Sequence, residues 1–271
     1  MARFPHRPAC LDKVFINVPL TMLARGYLEV FLGNRLRPEI GVDGEAMDGY
    51  DRRTFARIGR AFARAGIELT LHGPFLNLVA GALDQRILRA TRQRLDRFAE
   101  LMPYLGPQGV VVHPEYDPRR HVFYRDYWLE TTVASFEPLA RVCRREGIVL
   151  SLENTYEQTP DILVELLSRL PGAGFCLDPG HVASFAGTPL SLWLDALGAR
   201  VTHLHLHDND GSADQHLPVG QGTIDFKSVF RRLTSKKGPP RPPLVTLEPH
   251  REEDVAAMVL GLDQIWPRAW R

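Results

Sequence analysis

IVLSLEN (148–154), GFCLDPG (174–180), RVTHLHLHD (200–208) and PPLVTLEPH (242–250) share one plan: a short apolar run of strand type reaching a side chain able to bind a metal. Those side chains are Glu153, Asp178, His205 and Glu248. Two earlier runs follow the same plan, IELTLH (67–72) reaching His72 and GVVVH (109–113) reaching His113. Upstream, KVFINVP (13–19) and RPEIGV (37–42) complete eight strand-like runs. Runs this rich in Val, Ile and Leu belong to strands buried on both faces, the situation in a parallel sheet covered by helices.

Helical patterns fill the intervals. Leu20 to Arg35 reads as a helix, and Arg53 to Ala65 as another stopped by Gly66. After the third strand, Ile87, Thr91, Leu95, Phe98 and Met102 form an apolar stripe at spacings of four, four, three and four. Asp126 to Arg145 is helical and ends before Gly147, and further helices fall near 160–170, 190–198, 225–234 and 252–265. KKGPPRPP (236–243) is a loop into the last strand. Eight strand–helix units in strict alternation predict a (β/α)8 TIM barrel occupying 1–271 as a single domain. An open doubly wound sheet would gather its ligands at one switch point, not from six strands. Barrel active sites lie at the C-terminal ends of the strands, where these polar residues stand.

The 271 residues suit one barrel of about 250 residues. A composition 44% hydrophobic and 24% charged is that of a globular chain with a sizeable core. The net charge of +1 removes any bulk electrostatic case for a nucleic-acid or membrane partner. The basic cluster from Arg86 to Arg97 reads as a solvated helix face. Cys10, Cys143 and Cys176 are too few and scattered for a disulfide framework. No apolar run approaches the roughly 18 residues of a membrane span, and MARFPHRPACLDK at the N-terminus has no apolar signal core, so a cytoplasmic location is expected.

Nine side chains make up the candidate metal site: His72, His113, Glu153, Asp178, His181, His205, Asp214, His216 and Glu248. Burying several carboxylates together is costly unless cations neutralise them, and LSLEN, FCLDPG, LHLHD and TLEPH contain no Lys or Arg. Glu153, Asp178, His205 and Glu248 suffice for one divalent ion with room for water or substrate. His72 and His113, with Glu153 as a bridge, offer a second site; His181 with Asp214 and His216 offers a third. His203 is expected to pack or hydrogen-bond inside the barrel. Asp208 is expected to orient a ligand histidine. Glu39 and His250 are placed near the mouth without a role. Gly220-Gln221-Gly222 reads as a tight turn into a helix capped by Thr223 or Asp225.

The chain resembles the xylose isomerase-like TIM barrels, the superfamily shared by sugar isomerases, sugar epimerases and endonuclease IV. The likeness covers roughly residues 67 to 250, through LHGPFLNL, VVVHPEY, LSLENT, FCLDPGHVASFAG, HLHLHDND with DQHLPVGQGTIDF, and VTLEPH. Similarity to endonuclease IV implies a three-metal cluster using all nine positions: His72 of LHGPF, His113 of VVHP, Glu153 of LEN, Asp178 and His181 of the D-x-x-H step, His205 on the seventh strand, Asp214 and His216 of D-x-H, and Glu248 on the last strand. Similarity to the epimerases implies one metal on Glu153, Asp178, His205 and Glu248, with an Arg for substrate where this chain has Asp214. His207 stands where the endonuclease motif has Asn. With near-neutral charge and no evident intercalating loop, this disfavours duplex DNA as substrate.

Two mechanisms follow, both requiring one to three divalent ions, zinc or manganese, and a small phosphorylated or sugar-like substrate. The first, given slight preference on ligand count, is a phosphoester hydrolase with a two- or three-metal cluster activating water. The alternative is a single-metal sugar or sugar-phosphate isomerase/epimerase, in which Glu153 and Glu248 move a proton between carbons and His181 grips a hydroxyl. A non-catalytic sugar-binding barrel is a third reading, which the intact ligand set opposes.

Overall fold

The computed structural model describes residues 7–270, so the first six residues of the N-terminal segment read above lie outside the described residues. The strands are β1 (Val14–Pro19), β2 (Arg37–Gly41), β3 (Thr70–His72), β4 (Gly109–Val112), β5 (Val149–Glu153), β6 (Gly174–Leu177), β7 (Val201–Leu206) and β8 (Leu244–Leu247). They pair in parallel and in chain order, and β1 closes on β8 through Val14 with Val245, Phe15 with Thr246 and Ile16 with Leu247. This is the expected (β/α)8 barrel. The β3 ladder starts only at Thr70, opposite Glu39 of β2, while Ile67 and Leu69 stay buried as core without pairing.

Local chemistry places the helices. Asp51 caps Arg52–Ala65 by accepting from the Thr54 amide, and Asp84 caps Gln85–Leu105 through the amides of Arg86 and Ile87. Gly66 and Gly147 end their helices at φ 62° and 70°, the left-handed conformation that glycine adopts without a Cβ penalty. Two expectations are corrected. The Leu20-to-Arg35 run is not one helix: Gly26, at φ 127°, interrupts it between Leu20–Met22 and Leu28–Gly33. The buried stripe of Gln85–Leu105 begins at Leu88, 4% exposed, and not at Ile87, 48% exposed. Leu88, Thr91, Leu95, Phe98 and Met102 alternate by three and four, which keeps all five on one side of a 3.6-residue helix.

Between β6 and β7 the register shifts: Phe175 opposes Val201 but Cys176 opposes His203, so Thr202 is the extra residue. A Cβ on Gly174 would meet Thr202 Oγ1 at 2.0 Å, so glycine is needed beside the bulge. From there the period of two in β7 puts His203 and His205 on the polar inner face, with Leu204 and Leu206 on the other. Among the described residues no helix is long and apolar enough to cross a membrane.

Candidate metal centre

Five candidate ligands stand where a strand hands over to a loop or helix, and His205 lies inside β7, one residue before its end. His72 is the last residue of β3 and Glu153 the last of β5, while His113, Asp178 and Glu248 each follow their strands by one residue. Asp178 also caps Pro179–Phe185, accepting the His181 amide at 2.8 Å, which fixes His181 in the first turn. Asp214 and His216 ride on a loop closed at its base by the Asp208–Leu217 bridge. His72, His113, Glu153, His181, Asp214, His216 and Glu248 line one cavity of about 640 Å³. Asp178 and His205 lie fully buried.

On the floor, His113 Nε2 is 3.0 Å from both His72 Nε2 and Glu153 Oε2. His205 Nδ1 faces Glu153 Oε1 at 3.1 Å and Glu248 Oε1 at 2.9 Å, and its Nε2 faces Glu39 Oε1 at 3.2 Å. Nearer the rim, Asp214 Oδ2 is 3.3 Å from His216 Nε2 and 3.5 Å from His181 Nε2. Asp178 turns Oδ2 toward His207 Nε2 (3.1 Å) and His181 Nδ1 (3.7 Å), not toward His205. Its backbone is held by Asn154, whose side chain receives the Asp178 amide and donates to the Asp178 carbonyl, both at 2.9 Å.

The donor set suits a divalent ion. Nδ1 of His72, His181 and His216 lies 2.8–2.9 Å from the carbonyls of Gly73, Asn154 and Glu248 respectively. A carbonyl only accepts, so Nδ1 donates and Nε2 is the ring atom left to face the cavity. The buried ring nitrogens of His205 lack aligned hydrogen-bond partners although carboxylates surround them, as does Asp214 Oδ1. Nδ1 of His205 points between two carboxylates, a place for a cation rather than for a hydrogen bond. Among the described residues Arg94 is the one Lys or Arg lining the cavity, and it forms a two-point pair with Asp48.

Charge in the cluster is balanced by imidazole protons. Burial opposes ionisation of Glu153, but His205 and His113 hold its carboxyl well below the usual range. Burial likewise opposes charge on His113, yet Glu153 beside it raises the ring to about 9. Burial also works against charge on His181 and on His216, and again carboxylates prevail: Asp178 leads in raising the first, Asp214 the second.

Several roles emerge only from the fold. Glu39 is not near the mouth: it lies wholly buried under His205. An acidic residue inside the apolar run RPEIGV was the available signal. Asp208 does not contact a ligand histidine; it accepts the backbone amides of Asn209, Gly220 and Ile224, anchoring the Gly220–Gly222 turn. The helix beyond that turn is capped by Asp225. His203 bonds inside the barrel, its Nε2 2.9 Å from Thr246 Oγ1. His207 joins the rim group of His181, Asp214 and His216, and stacks on His216 with ring centroids 3.7 Å apart. Its two-residue spacing from His205 was visible, but which loop would meet it was not.

An uncharacterized protein of Methanocaldococcus jannaschii, MJ1311, is 29% identical over 180 residues, covering 63% of this chain and 61% of its own length. A second from that organism, MJ1614, is 28% identical over 175 residues, covering 62% and 66%. The chain thus matches about three fifths of the length of these relatives. Among solved structures, the TTHB071 protein from Thermus thermophilus, soaked with ZnCl2, superposes with TM-score 0.76 at 26% identity, covering 94% of this chain and 98% of that one. A D-tagatose 3-epimerase-like protein shares the fold with TM-score 0.75 at 21% identity, over 93% and 97% of the two chains. The 3-keto-D-glucoside 4-epimerase YcjR from E. coli does so with TM-score 0.70 at 18% identity, over 93% and 98%. The model of the xylose isomerase-like TIM barrel matches residues 27–263, nearly the whole barrel, and the chain belongs to that family.

Proposed function

We propose that this protein is a divalent-metal-dependent isomerase or epimerase of a small sugar-like substrate. The observation that carries the reading is the pair of carboxylates on the cavity floor, Glu153 and Glu248, whose Oε1 atoms flank His205 Nδ1 at 3.1 and 2.9 Å. Glu153, Asp178, His205 and Glu248 would hold the ion. A zinc or manganese ion bound there supplies a Lewis acid that polarises a carbonyl–hydroxyl pair. Glu153 and Glu248, which burial pushes up but His205 holds below the ordinary carboxylate range in the metal-free protein, are the bases: one takes the proton from the carbon beside the carbonyl, and one returns a proton to the neighbouring carbon or the opposite face. His181, with Nδ1 tied to the Asn154 carbonyl, offers Nε2 to a substrate hydroxyl. Phe75, Tyr156 and Phe185 supply apolar wall for the C–H faces of a sugar, and the cavity has the volume of a small-molecule site. With Arg94 engaged by Asp48, the lining offers no unpaired Lys or Arg for a phosphate among the described residues, which favours an uncharged substrate. The structural neighbours named for sugar epimerisation agree with this reading through their shared barrel.

The phosphoester hydrolase is the second reading. It is favoured by the surplus of donors: His72, His113 and Glu153 form one group and His181, His207, Asp214 and His216 another, each with ligand atoms within 4.8 Å. One experiment separates the two. Metal-loaded protein is incubated with a panel of ketoses and aldoses in D₂O, and NMR follows deuterium entering carbon positions and the appearance of isomers. Exchange with product formation is expected. Absence of exchange across the panel, together with cleavage of a nitrophenyl phosphoester, would overturn the isomerase reading in favour of the hydrolase.

A further inference from the structure

Glu39 has no place in the reaction described above, yet it is a charged residue with 0% exposure at the centre of the barrel. Its carboxylate is tightly held. Oε1 accepts from Asn17 Nδ2 at 3.2 Å, and Oε2 accepts from Thr70 Oγ1 at 3.2 Å and Thr246 Oγ1 at 2.9 Å. His203 Nε2 lies 3.2 Å from Oε2, and His205 Nε2 lies 3.2 Å from Oε1. These partners come from β1, β3, β7 and β8, so barrel closure itself aims the group. A buried carboxylate with this many donors, and no Lys or Arg partner among the described residues, is a built acceptor for imidazole N–H.

We infer that Glu39 is a positioning residue that keeps the proton of His205 on Nε2 and thereby presents Nδ1 to the cavity as the metal-binding atom. The inference rests on the metal reading above. His72, His181 and His216 have the opposite arrangement, with Nδ1 held by loop carbonyls and Nε2 facing inward. His205 cannot use that device. It sits inside β7, paired to β6 and β8, where neighbouring carbonyls serve the ladder and not the ring. A carboxylate behind the ring replaces the carbonyl. The Nε2···Oε1 approach is not an aligned hydrogen bond, so the bias is electrostatic: Glu39 favours the proton on its own side once a cation takes up the charge of Glu153 and Glu248 on the other.

The test uses full-length protein with ¹⁵N-labelled histidine, loaded with zinc, and two-bond ¹H–¹⁵N correlation spectra of wild type and Glu39→Gln. Wild type is expected to show one ring with zinc on Nδ1 and a proton on Nε2, among rings bound through Nε2. Glu39→Gln, which places an amide where a pure acceptor stood, is expected to lose that signature and to bind zinc about 10- to 100-fold more weakly at this position. The inference is overturned if every zinc-bound ring uses Nε2, or if Glu39→Gln keeps both the spectrum and the affinity of wild type. Should the variant not fold, the wild-type spectrum alone decides. A wild-type protein that takes up no zinc or manganese would overturn this inference and the metal reading together; metal uptake with the wrong tautomer overturns only the role of Glu39.

Discussion

On the floor of the site, Glu153, His205 and Glu39 are set by strand register and sealed from solvent; at the rim, Asp214, His216 and His250 ride on the loop after β7 and the turn after β8. Asp214 keeps a quarter of its side chain exposed, and His250 is exposed while stacking on His216 at 3.6 Å. The two layers use the same residue types with different stakes. A floor carboxylate stripped of its counter-charge has no water to turn to, whereas a rim carboxylate does. Chemistry that needs a fixed, desolvated base belongs on the floor, and the rim is suited to trimming affinity and choice of substrate.

The sharpest way to break this contrast is Glu153→Ala. It should reduce turnover by roughly 10²- to 10⁴-fold and lower bound metal, checked by elemental analysis beside the exchange assay. A variant both fully active and metal-replete would remove the floor as the working site. Asp214→Asn at the rim should leave substantial isomerase turnover. If the hydrolase reading holds instead, this change should cost about 10- to 100-fold in metal affinity and cripple phosphoester cleavage.

A pH series sharpens the comparison further. In the metal-free protein burial opposes charge on His113, but Glu153 raises the ring to about 9, so near neutrality an entering ion must displace its proton. Zinc affinity should therefore climb by about tenfold per pH unit for each proton released, and level off above about 9. Because the folded value lies above the ordinary 6.5, the stability His113 lends the metal-free fold is complete below 6.5 and lost as pH rises through about 9. Thermal melts across that window should fall for metal-free protein and much less for loaded protein.

Smaller effects are expected where the layers meet and at the outer edge. A Cβ at Gly180 would come within 2.1 Å of the His207 ring, so Gly180→Ala should destabilise by about 1–3 kcal/mol, read from the melting temperature. His250→Ala should change stability by less than about 0.5 kcal/mol and leave metal content intact. A loss of metal in that variant would promote His250 from rim to ligand.

Much of this was legible in residue order. Gly66 and Gly147 announced helix ends, and the strand-like runs marked the side chains that approach one cavity. Residue spacing admits a stripe starting at either Ile87 or Leu88, and only the neighbours packed against the helix select Leu88. Residue type makes Asp208 a candidate partner for a histidine, but nothing local reveals that the chain from Gly220 to Ile224 folds back and presents the amides of those two residues to it.

The alternation of strands and helices, the type of group closing each strand and the lack of cationic residues beside them were determined by the sequence alone, since periodicity and side-chain chemistry act over a few neighbours. Which groups share a floor, which ring nitrogen of each histidine faces inward, and that Glu39 stands behind His205 were decided by the tertiary structure. Thr246, whose hydroxyl holds Glu39, is 207 residues away from it along the chain. Closing β1 onto β8 brings such partners together, and contacts made by closure leave no periodic trace in either segment.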